Sequence, residues 1–293
     1  HYHAVASTAR LAGNYAIAQA NHGHYNFAFD ILNATRKNGA TYARHGGLDA
    51  LALHVSMETQ ALECAEKILA SHGKNAAVMT LYKSWIADDQ HFPQLIAACE
   101  GEAMRSIFIL SHPDNYRSQK LYGSRIFLKG NALRAAAATR ISGFWREYLP
   151  AARKNQGDVY SIRDEFATHL AEFTKRKSPS KMLPASLLTW CGGRIDAAAA
   201  LKARYELALG FAMVHSYRNA HGKLPNTVSD LPGLPQDPYS GETIKYARQE
   251  GGFVLYSVGS DRIDDGGATL SSAGKSTDIV LSQSRNSIEN TGY

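Results

Sequence analysis

Between Tyr205 and Tyr217 the chain reads YELALGFAMVHSY, a segment of helical composition that is apolar nearly all the way round. Leu207, Leu209, Phe211, Met213 and Val214 do not keep to one stripe, and a helix that is apolar on every side must be covered on every side. The segment belongs to a longer stretch, Pro184 to Ala220, that reads as one helix with Gly192-Gly193 as its weakest point. Any fold must therefore bring protein to this spine from two directions. With 293 residues, 44% of them apolar and 20% charged, the chain has ample material for such a core.

The periodicity on either side suggests what the two covers are. After Gly222 it switches to strands: Thr243 to Ala247 and Phe253 to Val258 read as alternating segments, separated by the hairpin signature Gln249-Glu250-Gly251-Gly252. Asp278 to Leu281 is a short third strand, and Asp261 to Thr277, rich in Gly, Ser and Asp, is a loop. Upstream the pattern is helical throughout. Ala4–Ala20 and Tyr25–Thr35, broken by Asn21-His22-Gly23-His24, form an αα-hairpin with the small Ala28 at the crossing. This hairpin resembles one tetratricopeptide unit, but no second unit follows at the 34-residue period. Further helices are expected at about 48–71, 76–87, 92–110, 131–154 and 158–173, with a stop and turn at Ser111-His112-Pro113-Asp114. The polar, proline-containing stretch Lys175 to Leu183 is the expected boundary. The fold class is thus α+β: an all-helical domain over 1–180, then a domain over 181–293. The second comprises a long helix (184–220), sheet and loops (222–281) and a tail (282–293), with its two covers packed intimately on the spine.

Four local features in the last quarter of the chain match, in order, the globular end of type II secretion pseudopilins. Tyr217-Arg218-Asn219-Ala220-His221-Gly222-Lys223-Leu224-Pro225 matches the helix exit, and Asn226 to Leu231 the short segment after it. Leu234-Pro235-Gln236-Asp237-Pro238-Tyr239-Ser240-Gly241 matches the turn that leads into the hairpin. Phe253-Val254-Leu255-Tyr256-Ser257-Val258-Gly259-Ser260-Asp261 matches the strand ending in Tyr-Ser-x-Gly-x-Asp, with Gly266-Gly267 and Asp278-Ile279 downstream. The region resembles the G-type, or major, pseudopilins above all. The whole arrangement resembles a group of Planctomycetes-type bacterial proteins in which a helical region is fused to this module. The resemblance implies a long helix packed on a small antiparallel sheet. It also implies a non-enzymatic structural or assembly role outside the cytoplasm, exercised through protein partners or self-assembly. The alternative is a helical adaptor whose hairpins bind a protein or peptide. One departure matters: true pseudopilins begin with the long helix, whereas here about 180 residues precede it. Either an upstream anchor replaces that membrane-inserted end, or the module is reused as a scaffold. Major pseudopilins hold calcium in the loop after the second strand, and the candidates carried over are Asp261, Asp264, Asp265 and Asp278. A hard cation seeking six to eight oxygens suits such a loop, although the spacing is not that of an EF-hand; the alternative is that these aspartates are solvated turn formers.

Several functions lack any supporting pattern. The net charge of +6 is spread along the chain, and its densest cluster, Lys175-Arg176-Lys177, reads as a solvated loop without a nucleic-acid motif. No run of about 18 apolar residues is present, so membrane contact is expected only through an anchor upstream of residue 1. Cys64, Cys99 and Cys191 are too few for a disulfide framework or a zinc site; a single Cys64–Cys99 disulfide and buried free thiols are the two readings. His1-Tyr2-His3 has the spacing that captures copper or nickel if His1 is the native terminus. His22, His24, His45 and His54 otherwise read as solvated or capping groups. Cys191-Gly192-Gly193 has no matched His motif, Asp88-Asp89-x-His91 reads as a capping turn, and Trp85, Trp145, Trp190 and Tyr205 read as core. No nucleophile elbow, phosphate loop or metalloprotease helix is found, and the expectation is that the protein is not an enzyme.

Overall fold

The computed structural model describes residues 2–43, 46–88, 95–111, 131–155, 158–175, 178–267 and 278–283. Eight helices occur in the described residues: α1 (Tyr2–Asn21), α2 (Tyr25–Ala43), α3 (Leu48–His72), α4 (Ala76–Ala87), α5 (Leu95–Ser111), α6 (Asn131–Lys154), α7 (Val159–Lys175) and α8 (Pro179–His221). Three strands follow, β1 (Lys245–Gln249), β2 (Gly252–Ser257) and β3 (Ile279–Gln283). The α+β class is as expected. Among the described residues no helix is long and apolar enough to cross a membrane. The chain forms two compact units, and neither is a continuous stretch. One comprises His1–Ala40, Val55–Phe92 and Ala200–Tyr293; the other comprises Thr41–His54 and Pro93–Ala199. The single division expected near residue 180 therefore contrasts with two units that interleave along the chain, and α8 contributes residues to both.

Within the first unit, the second half of α8 is the spine. At 43 residues α8 is about 65 Å long. Pro184 lies within its early turns and Gly192-Gly193 does not interrupt it. On one side of residues 204–219 stand α3 and α4. Arg204 Nη2 pairs with Glu66 Oε2 at 3.2 Å, Ser216 Oγ lies 3.6 Å from Met79 Sδ, and Asn219 Nδ2 donates to the Gly73 carbonyl at 2.6 Å. On the other side lies the sheet. Gly210 lets the backbone approach it: a Cβ there would come within 2.6 Å of Ile244 Cδ1 and 3.4 Å of Leu255 Cδ1. Phe211 and Phe253 meet with ring centroids 5.6 Å apart. The all-round apolar segment is covered from both directions, as its composition requires.

The sheet is a meander in the order β1-β2-β3, all antiparallel, with Lys245 opposite Tyr256 and Leu255 opposite Leu281. The central strand departs from the alternating reading, since every residue of Gly252–Ser257 is buried. Phe253 and Leu255 face α8, while Tyr256 packs against Gly267, where a Cβ would lie 2.8 Å from the Tyr256 ring. Strand β1 begins two residues later than the sequence suggests. Thr243 is held in a bridge to Gln236, and the Ile244 N–H donates to the Pro235 carbonyl at 3.0 Å, so both are engaged by the preceding turn.

A buried polar network ties α2, α3 and α4 to the spine in the same unit. Arg36 is 1% exposed and donates through Nε to Glu58 Oε2 at 3.0 Å. Its Nη1 and Nη2 donate to the carbonyls of Trp85 and Asp88, each at 2.8 Å, and its guanidinium sits 4.4 Å from the centroid of the Trp85 ring. The Tyr205 hydroxyl donates to Glu58 Oε2 at 2.5 Å, and burial, then the nearby Glu58 charge, pushes the phenol far above its usual range. Removing one member of such a network costs about 3–5 kcal/mol, because the partner charge is left buried. The turn between α1 and α2 uses Gly23 at φ 83°, a left-handed conformation that glycine adopts without a steric cost.

In the second unit an aromatic cluster joins α6 and α7. Phe144 meets Phe166 at 5.2 Å, and Tyr148 meets Phe166 at 5.0 Å. The Trp145 indole N–H donates to Ser106 Oγ of α5 at 3.1 Å. Trp190 differs from its core reading: it is partly exposed, with the guanidinium groups of Arg194 and Arg105 4.9 and 5.5 Å from its ring centroid.

Candidate functional site

The segments that carry the family resemblance all lie in the first unit, at the end of α8 and around the sheet. The helix stops where its sequence provides a left-handed cap. Gly222, at φ 69°, donates its N–H to the Arg218 carbonyl at 2.9 Å. The exit loop is then tied back to the sheet, the Tyr246 hydroxyl donating to the Pro225 carbonyl at 2.8 Å. The short 3-10 turn Val228–Asp230 is closed by Asp230, whose Oδ2 accepts from the N–H groups of Asn226 and Thr227 at 2.7 and 3.1 Å. Those hydrogen bonds hold its carboxyl below the usual range.

Asp237 is the centre of the next turn, and it is fully buried. Its Oδ1 accepts from the Tyr239 N–H at 3.0 Å and from Ser257 Oγ at 2.7 Å, and its Oδ2 accepts from the Val258 N–H at 2.9 Å. Its own N–H donates to the Glu242 carbonyl at 2.6 Å, and its carbonyl accepts from Gly241 at 2.8 Å. One carboxylate thus folds the Asp-Pro-Tyr-Ser-Gly turn onto itself and fastens it to the end of β2. A buried charge is tolerated only with such hydrogen bonding.

The four carried-over metal candidates lie just beyond β2 and at the start of β3. Asp261 Oδ1 accepts from Ile263 N–H at 3.1 Å and Asp264 Oδ1 from Gly266 N–H at 2.9 Å, so both serve as turn acceptors. Asp278 Oδ2 accepts from Gly267 N–H at 2.8 Å. Asp264, Asp265 and Asp278 are close enough to sense one another. Burial raises the Asp278 carboxyl above its ordinary value, the two neighbouring carboxylates add to the rise, and hydrogen bonds from Gly267 and Asp265 oppose it. Among the described residues no group of three or more His, Cys, Asp or Glu side chains is arranged to hold a metal ion. Residues 268–277 of the same loop lie outside the described residues.

Other sequence candidates resolve individually. The three cysteines are free and buried. Burial raises each thiol, Cys99 to about 12, which is the opposite of what a nucleophilic cysteine needs. His22 and His24 are exposed, and His24 Nδ1 lies 2.8 Å from Gln19 Oε1. His54 is buried. Asp88 is the C-cap of α4. His1, His45, Asp89, His91, Pro93 and Arg176-Lys177 lie outside the described residues.

Several buried polar groups were not singled out from the sequence, His215, Gln283 and Glu66 among them. His215, 3% exposed in the spine, donates through Nε2–H to Gln283 Oε1 of β3 at 2.9 Å. Burial lowers its ring to about 4, helped by the Arg218 charge and opposed by the Gln283 bond. Glu66 on α3 is raised to about 7 by burial, against the pull of Arg204. Each sits on the buried face of its element, and that position was the available signal. No family model matches the chain, and no curated protein and no solved structure is significantly similar to it.

Replacing Asp237 with Asn keeps one acceptor and turns the other into a donor facing N–H or O–H groups. The expected cost is about 2–3 kcal/mol, read as a lower urea midpoint with an unchanged slope. His215 and Glu66 give opposite pH dependences. The folded His215 value lies below its ordinary 6.5, so its contribution is complete above that pH and falls away as pH drops towards about 4. Its full extent is on the order of 3 kcal/mol. The folded Glu66 value lies above its ordinary 4.5, so its contribution is complete below that pH and is lost as pH rises through about 7. His215→Phe should flatten the first dependence and Glu66→Gln the second, measured as urea stability across the range.

Proposed function

We propose that this chain is a non-enzymatic structural or assembly protein that works outside the cytoplasm and uses a pseudopilin-like module for contacts with protein partners or copies of itself. The reading is supported above all by the Asp237 turn. The residues that carry the resemblance are mutually bonded around one helical spine, as a shared fold would require. The state of the nucleophilic groups agrees with it, because the thiols are buried and raised rather than activated. A second reading, the helical adaptor, draws on the α1–α2 hairpin. Leu11, Tyr15 and Phe27 are exposed there, and Tyr15 and Phe27 form an edge-to-face pair at 6.2 Å. Exposed apolar groups that adjoin one another are a mark of contact surfaces.

The two readings separate in one experiment. The native cysteines are buried, so Arg262→Cys, on an exposed turn of the module, provides a single reactive thiol for oxidative cross-linking. Assembly through the module gives covalent dimers or larger species, unaffected by Leu11→Ser and Phe27→Ser. Under the adaptor reading the chain stays uncross-linked and loses its partner with those two substitutions. Retention of the native full-length product in the cytoplasm, on fractionation, would overturn the extracytoplasmic role.

Calcium is part of the same reading, with Asp264, Asp265 and Asp278 as side-chain ligands and Asp261 beside them. Bound calcium would draw together carboxylates that repel when bare. Calcium, and not magnesium, should then raise the melting temperature, and Asp278→Asn should remove the rise. An equal response of wild type and variant would remove calcium from the proposal.

A further inference from the structure

The first unit has a cleft of about 360 Å3 where the end of α8, its exit loop and the β1–β2 hairpin come together. Three cations line it, Arg218, Lys223 and Arg248, and no acidic residue does. Arg218 by itself is the ordinary complement to the partial negative charge of a helix C-terminus. Lys223 and Arg248 come from the exit loop and from the sheet, and that explanation does not extend to them. Arg248 Nη1 donates to Asn226 Oδ1, a neutral acceptor. Among the described residues neither Arg218 nor Lys223 forms a salt bridge.

The second observation is independent of charge. Gln283, at the end of β3, lines the same cleft and is 95% buried by its 5% exposure. Its Oε1 is engaged by His215, yet its Nε2 is buried without a hydrogen-bond partner. An unmet buried donor costs about 1–3 kcal/mol unless an acceptor arrives. His215 cannot be that acceptor while its Nε2–H donates to the same amide. The cleft is therefore lined by three positive charges, of which Lys223 also feels the nearby Asp230 carboxylate, and by an amide N–H2 with no acceptor.

We infer that this cleft binds a small, multiply charged oxyanion, a phosphate- or polycarboxylate-bearing molecule with a compact body. Guanidinium groups match the planar oxygens of carboxylates and phosphates in pairs. The volume exceeds that of a bare phosphate and falls in the range of sites for small organic ligands. The Gln283 amide supplies the neutral donor that orients one oxygen. This site is separate from the aspartate loop and does not depend on how the module assembles.

The test is calorimetric titration of the full chain at low salt with three probes: inorganic pyrophosphate, citrate and, as a neutral control, glycerol. The expected result is saturable binding of pyrophosphate, citrate or both, none of glycerol, and weakening with added sodium chloride. Preference for pyrophosphate assigns the ligand to phosphates and preference for citrate to polycarboxylates. Lys223→Gln and Arg248→Gln, both at exposed positions, should fold normally and each reduce affinity roughly tenfold. Gln283→Leu in a His215→Phe background removes the unmet donor without stranding the His215 N–H. It should weaken binding relative to His215→Phe alone while leaving the ligand-free protein at least as stable as that variant, which a purely structural glutamine would not do. Absence of saturable binding, or binding unchanged in Lys223→Gln and Arg248→Gln, would overturn the inference.

Discussion

The first unit depends on the solvation demand of one stretch of helix. Residues 205–217 present apolar side chains in every direction, and water cannot be left against any face without a cost near 25 cal/mol per Å2. Two covers answer the demand, α3 and α4 on one side and a three-stranded meander on the other. Each cover depends on the spine in turn. An isolated three-stranded meander of five- and six-residue strands has little core of its own, and its central strand is buried only because α8 and the surrounding loops enclose it. Gly210 is the point where the dependence is tightest, since it allows Ile244 and Leu255 to approach the helix backbone.

That demand was legible because it is a property of side-chain type and period. The same is true of the helix limits, several of which match to within a residue or two, and of the hairpin at Glu250-Gly251, where Gly251 takes φ 76°. What could not be read was the partner of each buried polar group. Arg36 falls on the buried face of α2 with Phe29, Leu32 and Gly39, which signals that it is enclosed. Nothing local says that Glu58, the carbonyls of Trp85 and Asp88 and the Trp85 ring enclose it, because those contacts span 22 to 52 residues of chain. The later start of β1 has the same origin: a bridge from Thr243 back to Gln236 competes with the strand, and pairing of that kind leaves no periodic trace. The division of the chain into interleaved units is likewise a property of long-range packing and not of composition.

The candidate site was legible to a different degree. The resemblance pointed to Asp261, Asp264, Asp265 and Asp278; Asp264 and Asp265 lie near enough to add to the burial that raises the Asp278 carboxyl, yet among the described residues no three such side chains are arranged to hold a metal ion. His215 and Gln283 had no motif to announce them. Their pairing couples the spine to the last strand through a neutral ring, because burial outweighs every influence that would charge it. A histidine held neutral in this way can donate from one nitrogen only, and that choice leaves the amide nitrogen of Gln283 unanswered.

Several residues of the stretches that resemble pseudopilins are ones the fold itself consumes. Gly222 caps the helix, Pro225 receives the Tyr246 hydroxyl, Asp237 closes the turn and anchors β2, and Gly267 makes room for the Tyr256 ring. Each has its hydrogen-bonding or steric role filled inside the module, so similarity at these positions speaks of architecture and is silent on binding. Capacity for recognition must lie with groups the fold leaves unsatisfied. One such group in the first unit lies on the cleft at the end of α8, the Gln283 amide nitrogen, beside Arg218, Lys223 and Arg248. A scaffold held together by its motif residues can thus carry a ligand site of its own without disturbing the contacts that define the scaffold.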